Sequence, residues 1–391
     1  MNSVMKISDV FPLIRNGANI KQGGDNSGYP ITRIETISNK VVDRNKMGYA
    51  GITDIKKYED YVLQDGDILM SHINSEKHLG KTALYRLQEN EIVIHGMNLL
   101  CLRPNPNIIL SDYAFYFLSS DAFFRQVPNI TKKSVNQASF TVTALKDLFM
   151  IVPNLKVQST IVNTLKKVDE LIKVRNEQLS KLDELVKSRF IELFGGADYP
   201  KVLFENVCVF LRNGASIKQT KGAGGYPITR IETLSNDVFN IDRLGYADIT
   251  DLEKYQSYVL HNGDILISHI NSVAYLGRAV QYRGQLDSPI IHGMNLLCAR
   301  IADSYNPTYI EWFFKTPMAK EYISTITKKA VNQASITTSD LKKMLVPNPP
   351  KSLQDQFAAF VEQTDKLKLE VKESLEKLET LKKSLMQKYF G

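Results

Sequence analysis

The chain has 391 residues, 43% of them hydrophobic, with a formal charge of +7 and a pI near 9.0. That is more chain than one core usually holds, so two or more domains are expected, and the basic balance favours a polyanion or an acidic protein surface as partner. Cys101, Cys208 and Cys298 stand far apart with no CxxC pair and no histidine at ligand spacing, which argues against a disulfide framework and a zinc site and fits a reducing cytoplasm. The amino-terminal run MNSVMKISDVFPLIRNG is not a signal peptide, and no stretch approaches the roughly eighteen apolar residues of a membrane span.

Residues 1–154 contain short β-branched and aromatic runs, among them Tyr61-Val62-Leu63, Asp67 to Met70, Ile92-Val93-Ile94 and Phe149 to Val152, separated by Gly, Asn and Asp turn signals. They predict a mainly antiparallel sheet. One helix is expected over Ser111 to Arg125, opened by a Ser-Asp cap, with a counterpart over Asn306 to Tyr322. Pro153 closes this part. From Gln158 to Leu193 the apolar residues Ile161, Leu165, Val168, Ile172, Leu179, Leu182, Val186 and Leu193 recur at steps of four and three, a heptad seam predicting a helix about 54 Å long. Residues 196–350 form a second globular part, and Gln354 to Tyr389 a second long helix with Lys368 and Lys382 in its seam, where lysine fixes register and partner. Four segments result: 1–154, 155–195, 196–350 and 351–391.

The second half repeats the first. Asn16-Gly17-Ala18 returns as Asn213-Gly214-Ala215, an offset of 213 − 16 = 197, and the same offset carries YPITRIET from Tyr29 to Tyr226, GDILMSHINS at Gly66 to GDILISHINS at Gly263, and HGMNLLC from His95 to His292. TKKSVNQAS from Thr131 returns as TKKAVNQAS from Thr327. Such a tandem duplication predicts an α+β molecule with pseudo-two-fold symmetry, its two similar domains joined by two long antiparallel coiled-coil helices.

Enzymatic constellations are missing. Asn348-Pro349-Pro350 is like the turn with which amino-methyltransferases hold a base, but Lys351 replaces the aromatic and no glycine-rich cofactor turn accompanies it. No cofactor and no metal is expected. The pairs His72/His269 and His95/His292 lack a carboxylate or nucleophile at motif spacing, which leaves base-edge contact or core hydrogen bonding. The informative residues are polar ones kept in both copies while neighbouring loops, such as EKHLGKTALYRLQENE against VAYLGRAVQYRGQLDS, have diverged. Lysines pair with phosphates, and Asn, Gln, Arg and His present base-reading donors and acceptors. The candidate set for double-stranded DNA is therefore Arg33, His72, Asn74, Lys132, Lys133, Asn136 and Gln137 in the first copy, with Arg230, His269, Asn271, Lys328, Lys329, Asn332 and Gln333 in the second. Apolar residues outside a two-stranded seam, Leu171, Val174, Leu185 and Phe190 in the first helix and Phe360, Leu367, Leu381 and Met386 in the second, could take a partner or be covered by the protein's own domains.

A globular domain followed by a long helix, written twice, resembles the specificity subunit of type I restriction-modification systems. The resemblance rests on the YPITRIE strand, GDIL followed by a serine-containing strand and Leu-Gly, the NQASFT…LKDLFMIVPN run and the Gln-x-x-Ile that opens the helix, in order and twice. It implies two target recognition domains and two spacer helices that dock methyltransferase (modification) subunits, two of them, with restriction or translocase subunits left open. It also implies no catalysis by the chain itself and a bipartite DNA site, near-palindromic here because the two domains are alike. A coiled-coil scaffold binding acidic proteins is the alternative.

Overall fold

The computed structural model describes residues 3–20, 27–38, 40–135, 137–196, 198–220, 224–330 and 333–391. The chain divides into two compact units, Met1–Glu177 with Lys372–Gly391, and Gln178–Val371. Each unit holds one globular part and a portion of both long helices.

In the first unit the main sheet runs in the order Leu13–Asn16, Leu100–Arg103, Ile68–Met70, Thr82–Leu84, Val41–Val42, Ile37–Ser38. Its pairings are antiparallel except for Val41 beside Leu84. In the second unit Cys208–Asn213, Leu296–Ile301, Ile265–Ser268 and Ala279–Gln281 repeat the first four strands in the same order. Cys101 lies opposite Leu69, and Cys298 opposite Leu266, in the same register. Strands of two to six residues carry too little alternation to be read singly, and expected strands at Tyr61–Leu63 and Ile92–Ile94 are reduced to one isolated bridge between Val62 and Ile94.

The recurrence of Asn-Gly-Ala and His-Gly-Met-Asn has a steric cause. Ala18 bridges Gly96, and a Cβ on Gly17 would stand 2.3 Å from the Gly96 carbonyl carbon; Gly214 meets Gly293 at the same 2.3 Å. Two backbones cross where no side chain fits.

The expected helix over Ser111 to Arg125 is broken into Ser111–Leu118 and Asp121–Phe124, and its counterpart into Pro307–Phe313 and Pro317–Ile326. The Ser-Asp cap does not form. The Leu110 N–H instead donates to Gln158 Oε1 at 2.8 Å, while Gln158 Nε2 donates to the carbonyls of Ile108 and Pro153 at 2.9 and 2.7 Å. Gln354 repeats the device with the Asn306 N–H and the Pro349 carbonyl, both at 2.9 Å. Both glutamines are wholly buried, so each bolts the start of a long helix to its own domain. In the second copy this also gives the Asn348-Pro349-Pro350 turn a structural duty.

The long helices span Leu155–Phe194 and Lys351–Phe390. In each unit their portions run antiparallel. The seam lysines fix this register: Lys382 pairs with Asp169 in the first unit, and Lys368 with Asp183 at 2.7 Å in the second. The domain cores then absorb the helix ends. Phe390 enters the first core with its ring centroid 5.2 Å from Tyr113 and 6.1 Å from Phe117, and Phe190, Tyr309, Trp312 and Phe357 pack together in the second. Each such ring contributes about 1.5–3 kcal/mol by leaving water.

Candidate nucleic-acid interface

A small three-stranded sheet gathers much of the predicted set in each unit. Lys132–Lys133 pairs with Ala138–Ser139, which pairs with Ile73–Asn74; in the second unit Lys328–Lys329, Ala334–Ser335 and Ile270–Asn271 do the same. Lys133, Ala138 and Asn74 lie on one ladder, as do Lys329, Ala334 and Asn271. The sheet is rooted by Ala138 and Phe140, and by Ala334 and Ile336, all buried. Beneath it the hairpin is tied to the preceding helix where Thr131 Oγ1 donates to the Val127 carbonyl at 2.7 Å and Thr327 Oγ1 to that of Ile323 at 2.6 Å.

From this root the hairpin projects into solvent. Lys132, Lys133, Gln137, Lys328, Lys329 and Gln333 are all exposed. The Ser134 N–H donates to the Gln137 carbonyl at 2.8 Å, and Ala330 repeats the bond to Gln333 at 2.8 Å, closing a two-residue turn. Asn136 and Asn332 lie outside the described residues. One difference separates the copies: Lys133 Nζ meets Glu76 at 2.7 Å, both side chains 66% exposed, whereas Val273 occupies the position equivalent to Glu76 in the second copy.

The remaining candidates divide by geometry. His72 and His269 lie at the inner end of this sheet, their carbonyls accepting from Phe140 and Ile336 N–H at 3.1 and 2.9 Å. Burial lowers both imidazole pKa values, so they are neutral at pH 7, and each has a buried Nδ1 without a hydrogen-bond partner. Asn74 and Asn271 are half committed to their own loops: Nδ2 donates to Ser71 and Ser268 Oγ at 3.2 and 3.3 Å, and Oδ1 accepts from Ser75 and Ser272 N–H at 2.8 Å. Arg33 and Arg230 belong to another region. Arg33 lines a 370 Å³ cavity with Thr32, Glu35, Gly96 and Met97, and Arg230 Nε donates to Gln219 at 2.5 Å. His95 and His292 are core groups, their Nε2 atoms 2.9 and 2.8 Å from the Leu99 and Leu296 carbonyls, with burial holding both pKa values down to about 4.

Residues that hold the site in place were missed in the sequence. Asp67, 1% exposed, receives Arg103 through Nε and Nη2, both at 2.8 Å, and Asp264 receives Arg300 identically. These forked pairs fix the turn that feeds the strand leading to His72 or His269. Their identical spacing in both copies was the available signal.

Of the helix residues proposed to take a partner, Leu171, Val174, Leu185, Leu367 and Leu381 are 41–50% exposed. Phe190, Phe360 and Met386 are instead packed into the cores of their own units, because the domains cover that side of the helix pair. A cleft flanks the helices in each unit: 870 Å³ lined by Asp169, Lys383 and Met386 in the first, and 710 Å³ lined by Asp365, Lys187 and Phe190 in the second. Among the described residues no cluster of three or more His, Cys, Asp or Glu side chains could hold a metal, and no helix is long and apolar enough to cross a membrane.

Fold and site together define a tandem-duplicated α+β protein with one cationic hairpin per domain. A sequence profile of the type I restriction modification DNA specificity domain matches residues 2–184 and 201–382, and the chain belongs to that family. Over 193 residues it is 44% identical to a protein described as a type I restriction enzyme MjaX specificity subunit in Methanocaldococcus jannaschii, the match covering 49% of this chain and 45% of that relative. The EcoKI specificity subunit of Escherichia coli is 24% identical over 99% of this chain and 88% of its own length. Among solved structures, a chain from a type I restriction-modification complex aligns with a TM-score of 0.61 at 17% identity over 99% of this chain and 97% of its own, and the S subunit from M. genitalium with 0.58 at 14% over 100% and 96%. These two show the fold. Specificity subunits of type I systems are non-catalytic DNA-recognition proteins.

Proposed function

We propose that this chain is the DNA-recognition subunit of a type I restriction-modification complex, that each domain reads one half of a bipartite site, and that the helices dock methyltransferase subunits. The observation that carries the reading is the pair of cationic hairpins, Lys132 to Ser139 and Lys328 to Ser335, built alike on rigid roots. A two-stranded ribbon fits the major groove, its lysines meeting phosphates and its amides reaching base edges. Because both domains carry the same residues in the same places, the half-sites are alike and the whole site is near-palindromic. Exposed Leu171 with Leu381 in the first unit, and Leu185 with Leu367 in the second, give each unit one leucine from each helix for a partner.

A partner at these leucines has the same surface twice, which suits two copies of one subunit. The test is co-expression with the cognate methyltransferase subunit. Glu at Leu171 and Leu381 should remove one bound copy and Glu at all four leucines both copies, with DNA binding by the chain intact. Unchanged assembly would place docking elsewhere. An adaptor for acidic proteins has no observation in its favour beyond net charge.

A further inference from the structure

Val135 stands at the tip of the first hairpin, and the lysine-and-amide reading gives it no task. Its side chain is 98% exposed, against 67% for Val4, and Lys132, Lys133, Ser134 and Gln137 around it are exposed too. The tip is firmly held. Ser134 closes the turn with its N–H and its Oγ, at 2.8 and 3.0 Å from the Gln137 carbonyl. A lone exposed valine is ordinary on a protein surface. This one is different because it is carried forward on a ribbon with two lysines on its flank, so any phosphate backbone those lysines meet brings the isopropyl group into the groove between the strands.

In the major groove the one apolar group on a base edge is the thymine C5-methyl. The minor groove is entered instead by bulkier wedges such as Phe, Leu or Met. A two-stranded ribbon with a small β-branched tip fits the first case. We propose that Val135 is a specificity-determining residue that reads thymine, packing its isopropyl group against the C5-methyl in the major groove. The identical run KAVNQAS, with Val331 outside the described residues, extends the assignment to the second copy by sequence. This inference rests on the DNA-binding reading of the hairpin.

The test uses the full-length chain and a duplex enriched from a random-sequence library. Each thymine is then replaced singly by uracil, which removes the methyl and leaves base pairing unchanged. One replacement per half-site should weaken binding about fourfold, the burial free energy of a single methyl group. Val135→Ala should abolish that sensitivity in one half-site and Val331→Ala in the other, while Val135→Thr, which keeps one methyl, should retain part of it. Wild-type binding indifferent to every uracil, or sensitivity that survives in the Val135→Ala and Val331→Ala variants, would overturn the proposal. Lys132→Ala with Lys133→Ala separates the two claims: if these leave binding to any duplex unchanged, the hairpin is not the DNA contact at all, whereas weakened binding with a flat uracil scan removes the valine assignment alone.

Discussion

Replacing Glu76 by Val, the residue that the second copy has at position 273, should tighten binding to mixed-sequence duplex DNA. The Lys133–Glu76 pair is 2.7 Å long with both side chains 66% exposed. Solvent screening therefore limits it to about 0.2–1 kcal/mol, and Lys133 forfeits that amount when it turns to a phosphate. Removing the carboxylate should raise affinity by about 1.4- to 5-fold. It should also steepen the salt dependence, since one added phosphate contact changes the slope by about 0.9, or about 3.5-fold in affinity between 50 and 200 mM salt. Fluorescence anisotropy titrations across that range read both quantities. In a Lys133→Met background the gain should shrink by more than half, because the competitor of Glu76 is gone. An equal gain in both backgrounds would mean that Lys133 does not touch the backbone and that the carboxylate acts only through the general field.

Further outcomes follow from the buried groups. Gln158→Leu leaves the Leu110 N–H and two carbonyls unpaired and should cost roughly 2–4 kcal/mol in urea unfolding, about 1–3 per orphaned group with partial relaxation; a loss below about 0.5 kcal/mol would mean the glutamine is no anchor. His95 and His292 have their pKa values lowered by burial to about 4 against about 6.5 unfolded. The unfolded chain thus binds more protons, and the stability they contribute is whole above pH 6.5 and declines as pH falls toward 4. By pH 5 each should have lost about 2 kcal/mol, in separate units, and a urea midpoint flat from pH 7 to 5 would contradict the burial.

Much of this was legible because the repeat printed it twice. Both long helices could be read from their heptads, short of the true ends by a few residues because Asn154, whose Oδ1 accepts the Val157 N–H at 3.0 Å, and Pro350 already begin them. The lysine hairpin could be found as a shared polar run. What the repeat could not do was separate polar residues kept for a ligand from polar residues kept for the fold: His95 and Asn74 are shared, yet the first is a core hydrogen-bonding group and the second largely serves its own loop. Retention measures constraint of either kind. The apolar residues on the helices were ambiguous for a similar reason, since a seam pattern shows which side of a helix is buried but not whether the chain's own domain covers it, as it does at Phe190 and Met386. Strands were the weakest element, because their registers depend on long-range pairs such as Cys101 opposite Leu69.

The central claim is that two like domains read two like half-sites, and mapping of methylated bases tests it most directly. The chain, expressed with its cognate methyltransferase subunit in a host lacking other type I systems, should leave one modified motif made of two similar half-sequences in inverted orientation, separated by a few unread base pairs. Exchange of residues 1–154 with 196–350 should leave that motif almost unchanged. Two unrelated half-sequences would show that the shared hairpin residues are not the base readers, and absence of any modified motif would contradict the recognition role itself.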